Sequence, residues 1–166
     1  EAALKDAVIE EFVLGAPVNF NFFYSPLHGR LELMGTDTRR QTSLDGWLRL
    51  PAREQLKINA LPHHIETGHV AVTVKESLLE YAYEAGEKFV ETCKSYDPKG
   101  IIGPFALQGA ISTNGKKEEF VVFDVSFRMP GSPGIAATPY SQYLFGRPVS
   151  MGERMALEVQ EAATTG

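Results

Sequence analysis

The strongest constraint on the fold is a two-residue alternation that returns along the chain. In Val18-Asn19-Phe20-Asn21-Phe22 every second residue is apolar. Successive side chains of a strand point to opposite faces, so Val18, Phe20 and Phe22 predict one buried face and Asn19 and Asn21 a polar one. "GPFALQGAIS" sets Phe105, Leu107 and Ile111 against Ala106, Gln108 and Ala110. The stretch from Phe120 to Gly134, "FVVFDVSFRMPGSPG", sets Val121, Phe123, Val125 and Phe127 against Asp124, Ser126 and Arg128 before a Pro/Gly break. A chain with such segments must build a sheet.

The connecting segments refine this. "RLELMGTD" follows the turn "SPLHG" and completes an antiparallel hairpin, with Leu31 and Leu33 on one side. "DAVIEEFVLG" reads as a strand-like run ending in a turn at Gly15, and "TDTRRQTSLDGW" as a polar loop carrying Arg39 and Arg40. A helix is predicted from Lys75 to Tyr96, because Leu78, Ala82, Ala85, Phe89, Cys93 and Tyr96 recur at spacings of three and four and "DPKG" stops it. A shorter helix starts at Pro51. A last one covers "SMGERMALEVQEAA", where Ser150 can cap and Glu153 stands three residues on. The fold class is α+β, an antiparallel sheet with flanking helices. With 166 residues and 43% hydrophobic content, one core is the expectation.

Composition narrows the function classes. Sixteen Lys and Arg against 21 Asp and Glu give a net charge of -5, which argues against a nucleic-acid partner but leaves room for anionic small ligands at local basic clusters. The single cysteine, Cys93, precludes an intrachain disulfide and suits a cytoplasmic location. No apolar run approaches the ~18 residues of a membrane span, so no membrane association is expected. The sequence begins at Glu1 without a Met, and a segment of a longer polypeptide is expected.

The chemistry gathers around Gln108 and Asp124. A two-residue Asn114-Gly115 turn would pair Gln108 with Val121 and place Asp124 on the other face. An odd-length loop or one bulge would bring the two to a common face, and a site here requires one of them. An amide oxygen and a carboxylate are hard ligands suited to Mg²⁺, which takes one or two protein ligands and completes its shell with phosphate and water. Arg128 offers planar donors to phosphate, and Gly131 and Gly134 allow close backbone approach. Other candidates read as structural. Cys93 belongs to an apolar helix face, His63 and His64 lack partners at metal-ligand spacing, and His28 sits in a turn. Arg39 and Arg40 read as solvated, Met151 and Met155 as core, and Tyr140, Tyr143 and Phe145 either pack on the sheet or form a subunit contact.

Asp124, Ser126, Arg128 and Gly131 match acid-x-(Asn/Ser)-x-Arg-x-x-Gly, which resembles the metal-binding strand of ATP-grasp ligases; "EEFVLG" is similar to their ATP hinge. More closely, "EEFVLGAPVNFNFFYSP", "RRQTSLDGWLRLPA", "TGHVAVTVKESLL", "GIIGPFALQG" and "PVSMGERMALE" resemble, in order, the C-terminal part of archaeal formate-dependent 5-formaminoimidazole-4-carboxamide ribonucleotide synthetases. The resemblance implies that Glu10, Glu11, Phe12, Val13 and Thr42 contact ATP, that Gln108 and Asp124 hold Mg²⁺ or Mn²⁺, and that His69 contacts the aminoimidazole carboxamide ribonucleotide. It implies that residues 1–14 close a preceding subdomain and hinge strand, and that 15–166 form an ATP-grasp C-terminal catalytic domain, inactive in isolation. The whole enzyme would join formate to the ribonucleotide through formyl phosphate in purine biosynthesis, as a homo-oligomer. Three positions depart from the family pattern: Asp124 stands for Glu, Thr42 for an acid and His69 for Asn. The first keeps the charge; the others change hydrogen bonding. A ligase for another carboxylate or amine, and a non-catalytic nucleotide-binding or oligomerisation domain, are the alternative readings.

Overall fold

The computed structural model describes residues 7–61, 63, 65–113, 115 and 117–165. These contain strands β1 (Gly15–Ser25), β2 (Arg30–Gln41), β3 (Glu66–Ala71), β4 (Gly103–Thr113) and β5 (Glu118–Ser126), joined into one antiparallel sheet of order β3-β2-β1-β4-β5. Helices α1 (Leu44–Trp47) and α2 (Ala52–Gln55) lie in the β2–β3 connection, α3 (Glu76–Tyr96) links β3 to β4, and α4 (Tyr140–Phe145) and α5 (Met151–Thr165) follow the sheet. Among the described residues no helix is long and apolar enough to cross a membrane.

One sheet face carries the main core. Phe20, Phe22, Leu33, Phe105 and Leu107 pack with Ala82 and Val90 of α3, each large side chain contributing roughly 1.5–3 kcal/mol. The helix comes close because Gly86 faces the sheet: a Cβ there would lie 2.6 Å from Leu31 Cδ2. The buried stripe of α3 runs through Leu78, Ala82, Gly86 and Val90, whereas Ala85 and Phe89 pack at its edge and Tyr96 is exposed. The expected face therefore turns away from the core at its C-terminal end.

The opposite face is divided. One end packs Phe23 and Met34 with Ile135 of the 3-10 turn Pro133–Ala137, Val149 and Met151. Arg154 of α5 reaches back to Glu32 on β2, with Nε–Oε2 at 2.5 Å, and to Glu158 at 2.8 Å; the Ser25 hydroxyl donates to Glu158 at 2.9 Å. Burial alone would lower the Arg154 pKa, but the bonds and charges of Glu32 and Glu158 outweigh it and hold it above its ordinary value. Burial would likewise raise the Glu158 pKa, but its bonds to Ser25 and Arg154 hold the carboxyl below its ordinary value. Ser150 Oγ accepts the Glu153 N–H at 3.2 Å and caps α5 as expected.

Several expectations need correction. β1 is buried on both faces, Asn19 and Asn21 included, because it is the central strand. The segment "TDTRRQ" is the second half of β2, not a loop, because β3 pairs with it and supplies the hydrogen bonds that a loop would lack. Strand β1 begins at Gly15, where a turn was expected, and residues 7–14 form no strand. Phe12 in that stretch is 85% exposed. Met155 is exposed where Met151 is core, while Tyr140 is buried, Phe145 packs near Met151, and Tyr143 is exposed. His64 and Asn114 lie outside the described residues.

The β4–β5 hairpin settles the register. Thr113 pairs with Glu118, so four residues separate them rather than two. An even-length loop alone would still leave Asp124 on the wrong face. One extra residue, Phe123, is inserted between the pairs Gly109–Val122 and Gln108–Asp124, and this bulge brings Gln108 and Asp124 opposite each other. The apolar face of β5 consequently runs through Phe120, Val122 and Val125, while Phe123 is half exposed and Phe127 is 69% exposed, contrary to the simple alternation. Gly109 makes room for the bulge: a Cβ there would lie 2.3 Å from Val121 O. Gly109→Ala should cost about 1–3 kcal/mol of stability through backbone displacement, read as a lowered denaturation midpoint; an unchanged midpoint would show that the hairpin absorbs a side chain here.

Candidate active site

On the face opposite α3, the half left uncovered by α5 is polar. Asn19 of β1 stands between Asp37 of β2 and Gln108 of β4, Arg39 stands opposite His69 of β3, and Ala106 opposite Ser126 of β5. Direct antiparallel partners share a face, so five strands contribute to one surface. These residues, with Asn21, Glu66, Arg128, Pro130 and Gly131, line a cavity of about 350 Å³.

Asp37 organises its floor. Only 1% exposed, it accepts hydrogen bonds from Asn19 Nδ2 at 2.8 Å, Asn21 Nδ2 at 2.7 Å and His69 Nδ1 at 2.6 Å. Because Asn21 Nδ2 also faces Gly35 O, its amide orientation is determined by acceptors on β2. Asn21 Oδ1 is then left buried without a hydrogen-bond partner among the described residues. His69 Nε2 lies 2.6 Å from Glu66 Oε1, so the ring bridges two carboxylates.

Arg39 crosses the floor in the other direction. Its Nη2 donates to Gln108 Oε1, two strands away, while its Nε lies 3.1 Å from Glu66 Oε2. That Nε–Glu66 approach is an ion pair without hydrogen-bond alignment, and the buried Nε has no hydrogen-bond partner among the described residues. Two polar atoms of one cavity floor, an acceptor and a donor, thus remain unsatisfied.

The residues singled out from sequence are placed unequally. Gln108 lies in the cavity, and Asp124 faces it across the strand pair but is exposed and outside the cavity lining. Arg128 lies beyond the end of β5, not within it, and lines the rim with its Nη1 donating to Met129 O at 3.2 Å. His69 is in the cavity wall. Thr42 follows β2, with its N–H bonded to Ile65 O at 2.9 Å, and does not line the cavity. Glu10, Glu11 and Phe12 are exposed, Val13 is half-buried, and none reaches the cavity. Cys93 is remote from it, and burial pushes its thiol pKa up, disfavouring the nucleophilic thiolate. Asn19, Asn21, Asp37 and Glu66 were not identified from sequence, and Arg39 was read as solvated. Only Asn19 and Asn21 carried a signal, their alternation with Phe, which marks a polar strand face without saying what covers it.

Comparison with known proteins extends these findings. The family described as Domain of unknown function (DUF1297) matches residues 1–166. The chain belongs to this family. Among its relatives are the 5-formaminoimidazole-4-carboxamide-1-(beta)-D-ribofuranosyl 5'-monophosphate synthetases of Methanocaldococcus jannaschii, 40% identical over 161 residues, and Methanobrevibacter smithii, 37% identical over 164. These alignments cover 96% and 98% of this chain and 44% of each relative. An IMP biosynthesis protein PurP from Thermococcus kodakaraensis has a similar structure, with TM-score 0.73 and 34% identity, covering 94% of this chain and 48% of that one. The chain spans about half the length of the curated relatives it matches. The α+β sheet with flanking helices is the fold it shares with that solved structure.

The donor chemistry at Gln108 and Asp124 suits a hard divalent cation, with one carbonyl oxygen and one carboxylate directly opposed. No group of three His, Cys, Asp or Glu able to hold a metal exists among the described residues, so any such ion needs ligands from elsewhere. Phosphate oxygens and water are the usual ones.

Proposed function

We propose that the chain is the C-terminal ATP-grasp domain, residues 15–166 with the hinge segment 1–14, of a ligase that converts aminoimidazole carboxamide ribonucleotide, formate and ATP to the formamido ribonucleotide. The observation that carries this is the bulge-dependent meeting of Gln108 with Asp124 at the edge of a cavity that also holds His69, Arg39 and Arg128. Relatives bearing the synthetase name align over nearly the whole chain, which supports the same assignment.

In this proposal Gln108 and Asp124 hold Mg²⁺ or Mn²⁺, which when bound would neutralise phosphate charge. Glu10 to Val13 and Thr42 contact ATP, with the remainder of its site supplied outside this domain. A formate oxygen attacks the γ-phosphorus and ADP leaves; the 5-amine then attacks the formyl carbon, phosphate leaves and the amine loses a proton. The domain's own residues position and screen. Arg128 presents planar donors at the rim, where phosphate charge develops. His69, held between Asp37 and Glu66, faces the ribonucleotide. No protein nucleophile is needed. A cytoplasmic location and self-association belong to the same proposal.

Turnover by the protein at full family length, supplied with ATP, formate and the ribonucleotide, is the test. Formate-dependent ADP release together with the formamido product is expected. ADP release with another carboxylate or amine alone would favour the second reading, for which His69 and Thr42, both departing from the family pattern, are the motive. No nucleotide turnover with any such pair would leave a binding domain. Within the first reading, His69→Ala should raise KM for the ribonucleotide about 10-fold or more while leaving KM for ATP within about twofold. An equal rise in both would make His69 a structural prop.

A further inference from the structure

We infer that Arg39 is an exchangeable anion ligand: its guanidinium holds Gln108 Oε1 and gives up that oxygen when a divalent cation takes it, turning instead to a ligand oxyanion. The inference rests on the metal assignment proposed for Gln108 and Asp124. Three observations carry it. Arg39 Nη2 donates to the same amide oxygen that the metal would use, and a guanidinium and a divalent cation on one oxygen repel each other. The present arrangement leaves Arg39 Nε buried and without a hydrogen bond, so the five-donor fork is not satisfied where it lies. Glu66, whose Oε2 is 3.1 Å from that Nε, keeps Arg39 within the cavity after Gln108 is released.

The cavity chemistry then gives the fork a use. Asp37, Glu66 and the unpaired Asn21 Oδ1 offer acceptors, whereas the guanidinium donors that line the cavity are Arg39 and Arg128. Planar guanidinium donors match phosphate and carboxylate oxygens alike. The oxyanion has two possible sources, the terminal phosphate of the nucleotide and the small carboxylate.

The experiment reads metal and anion separately in the protein at full family length. Mn²⁺ binding, followed by its electron paramagnetic resonance signal, should tighten about threefold or more in Arg39→Met because the competing cation is gone. The same variant should lose about 10-fold or more in affinity for the oxyanion, the order expected for a charge-assisted hydrogen bond. Loss of ATP over ADP discrimination would identify the terminal phosphate, and a raised KM for the carboxylate with unchanged discrimination would identify the carboxylate. Arg39→Lys, which keeps the charge but not the fork, should leave Mn²⁺ affinity close to wild type and still weaken the oxyanion. Gln108→Leu should weaken Mn²⁺; if it does not, the metal assignment falls and the exchange with it. If Gln108→Leu weakens Mn²⁺ while Arg39→Met leaves it unchanged or weaker, the metal assignment stands and the exchange is overturned. A structural role for Arg39 would weaken both ligands, so the opposite signs are the decisive outcome.

Discussion

Asp124→Asn is expected to lower turnover by about 100-fold or more, a loss of about 2.7 kcal/mol of transition-state stabilisation, with the melting temperature nearly unchanged. The side chain is exposed and makes no buried hydrogen bond among those described, so folding does not depend on its charge. Raising Mg²⁺ should recover part of the rate, because the carboxylate and the Gln108 carbonyl stand opposite each other and would share one ion. Gln108→Leu should lower turnover to a similar degree, although this side chain is buried and bonded to Arg39. The double variant should then lose far less than the product of the two single losses, since each removes the same interaction. Rates close to wild type in Asp124→Asn would overturn the metal assignment and leave Asp124 an exposed residue of β5.

The second large effect concerns stability. Arg154 is 2% exposed and stands between the carboxylates of Glu32 and Glu158, both buried. Arg154→Met keeps much of the volume but removes the buried cation that the two carboxylates share, leaving Glu32 with Arg30 and Glu158 with Ser25, and should cost about 3–5 kcal/mol, measured as a shift in the denaturant midpoint. Arg30, which touches Glu32 from the solvent side at 2.7 Å, should cost well under about 1 kcal/mol when replaced by alanine. Equal losses from the two would refute a buried origin. The network also sets a pH dependence. The Glu158 carboxyl is held below its ordinary value, so its stabilising contribution is complete above the ordinary carboxylate range and is lost as pH falls through its lowered folded value. Glu158→Gln should flatten that acid limb of the stability curve.

How much of this is legible in the primary structure differs from element to element. Period-two alternation located β1, β4 and β5, and spacings of three and four located α3, because side-chain direction follows directly from backbone geometry; the capping pair Ser150 and Glu153 located α5. Pairing is another matter. Arg39 and Arg40 looked like loop residues because nothing local in "TDTRRQ" announces the partner strand β3, yet that pairing alone turns Arg39 and His69 to one face. Asn19 and Asn21 looked solvated because alternation distinguishes two faces without saying what covers either one. Burial of Asn21 to 1% exposure required neighbours on both sides of β1 and a carboxylate, Asp37, brought from the next strand.

An α+β chain with antiparallel hairpins, a capped last helix, an acidic balance and the residue types able to meet a phosphate or a divalent cation are all legible in the primary structure. These follow from local propensity and composition, which each short segment carries alone. The meeting of Gln108 with Asp124 was decided only in three dimensions. Its parity depends on one inserted residue, Phe123, and on the missing side chain of Gly109 that admits the bulge. The Asp37 hub, the Arg39 bridge and the Arg154 network were decided the same way, since each joins strands or helices far apart in the chain. Local sequence orients a side chain relative to its own strand; only packing of the whole sheet selects the groups that it meets.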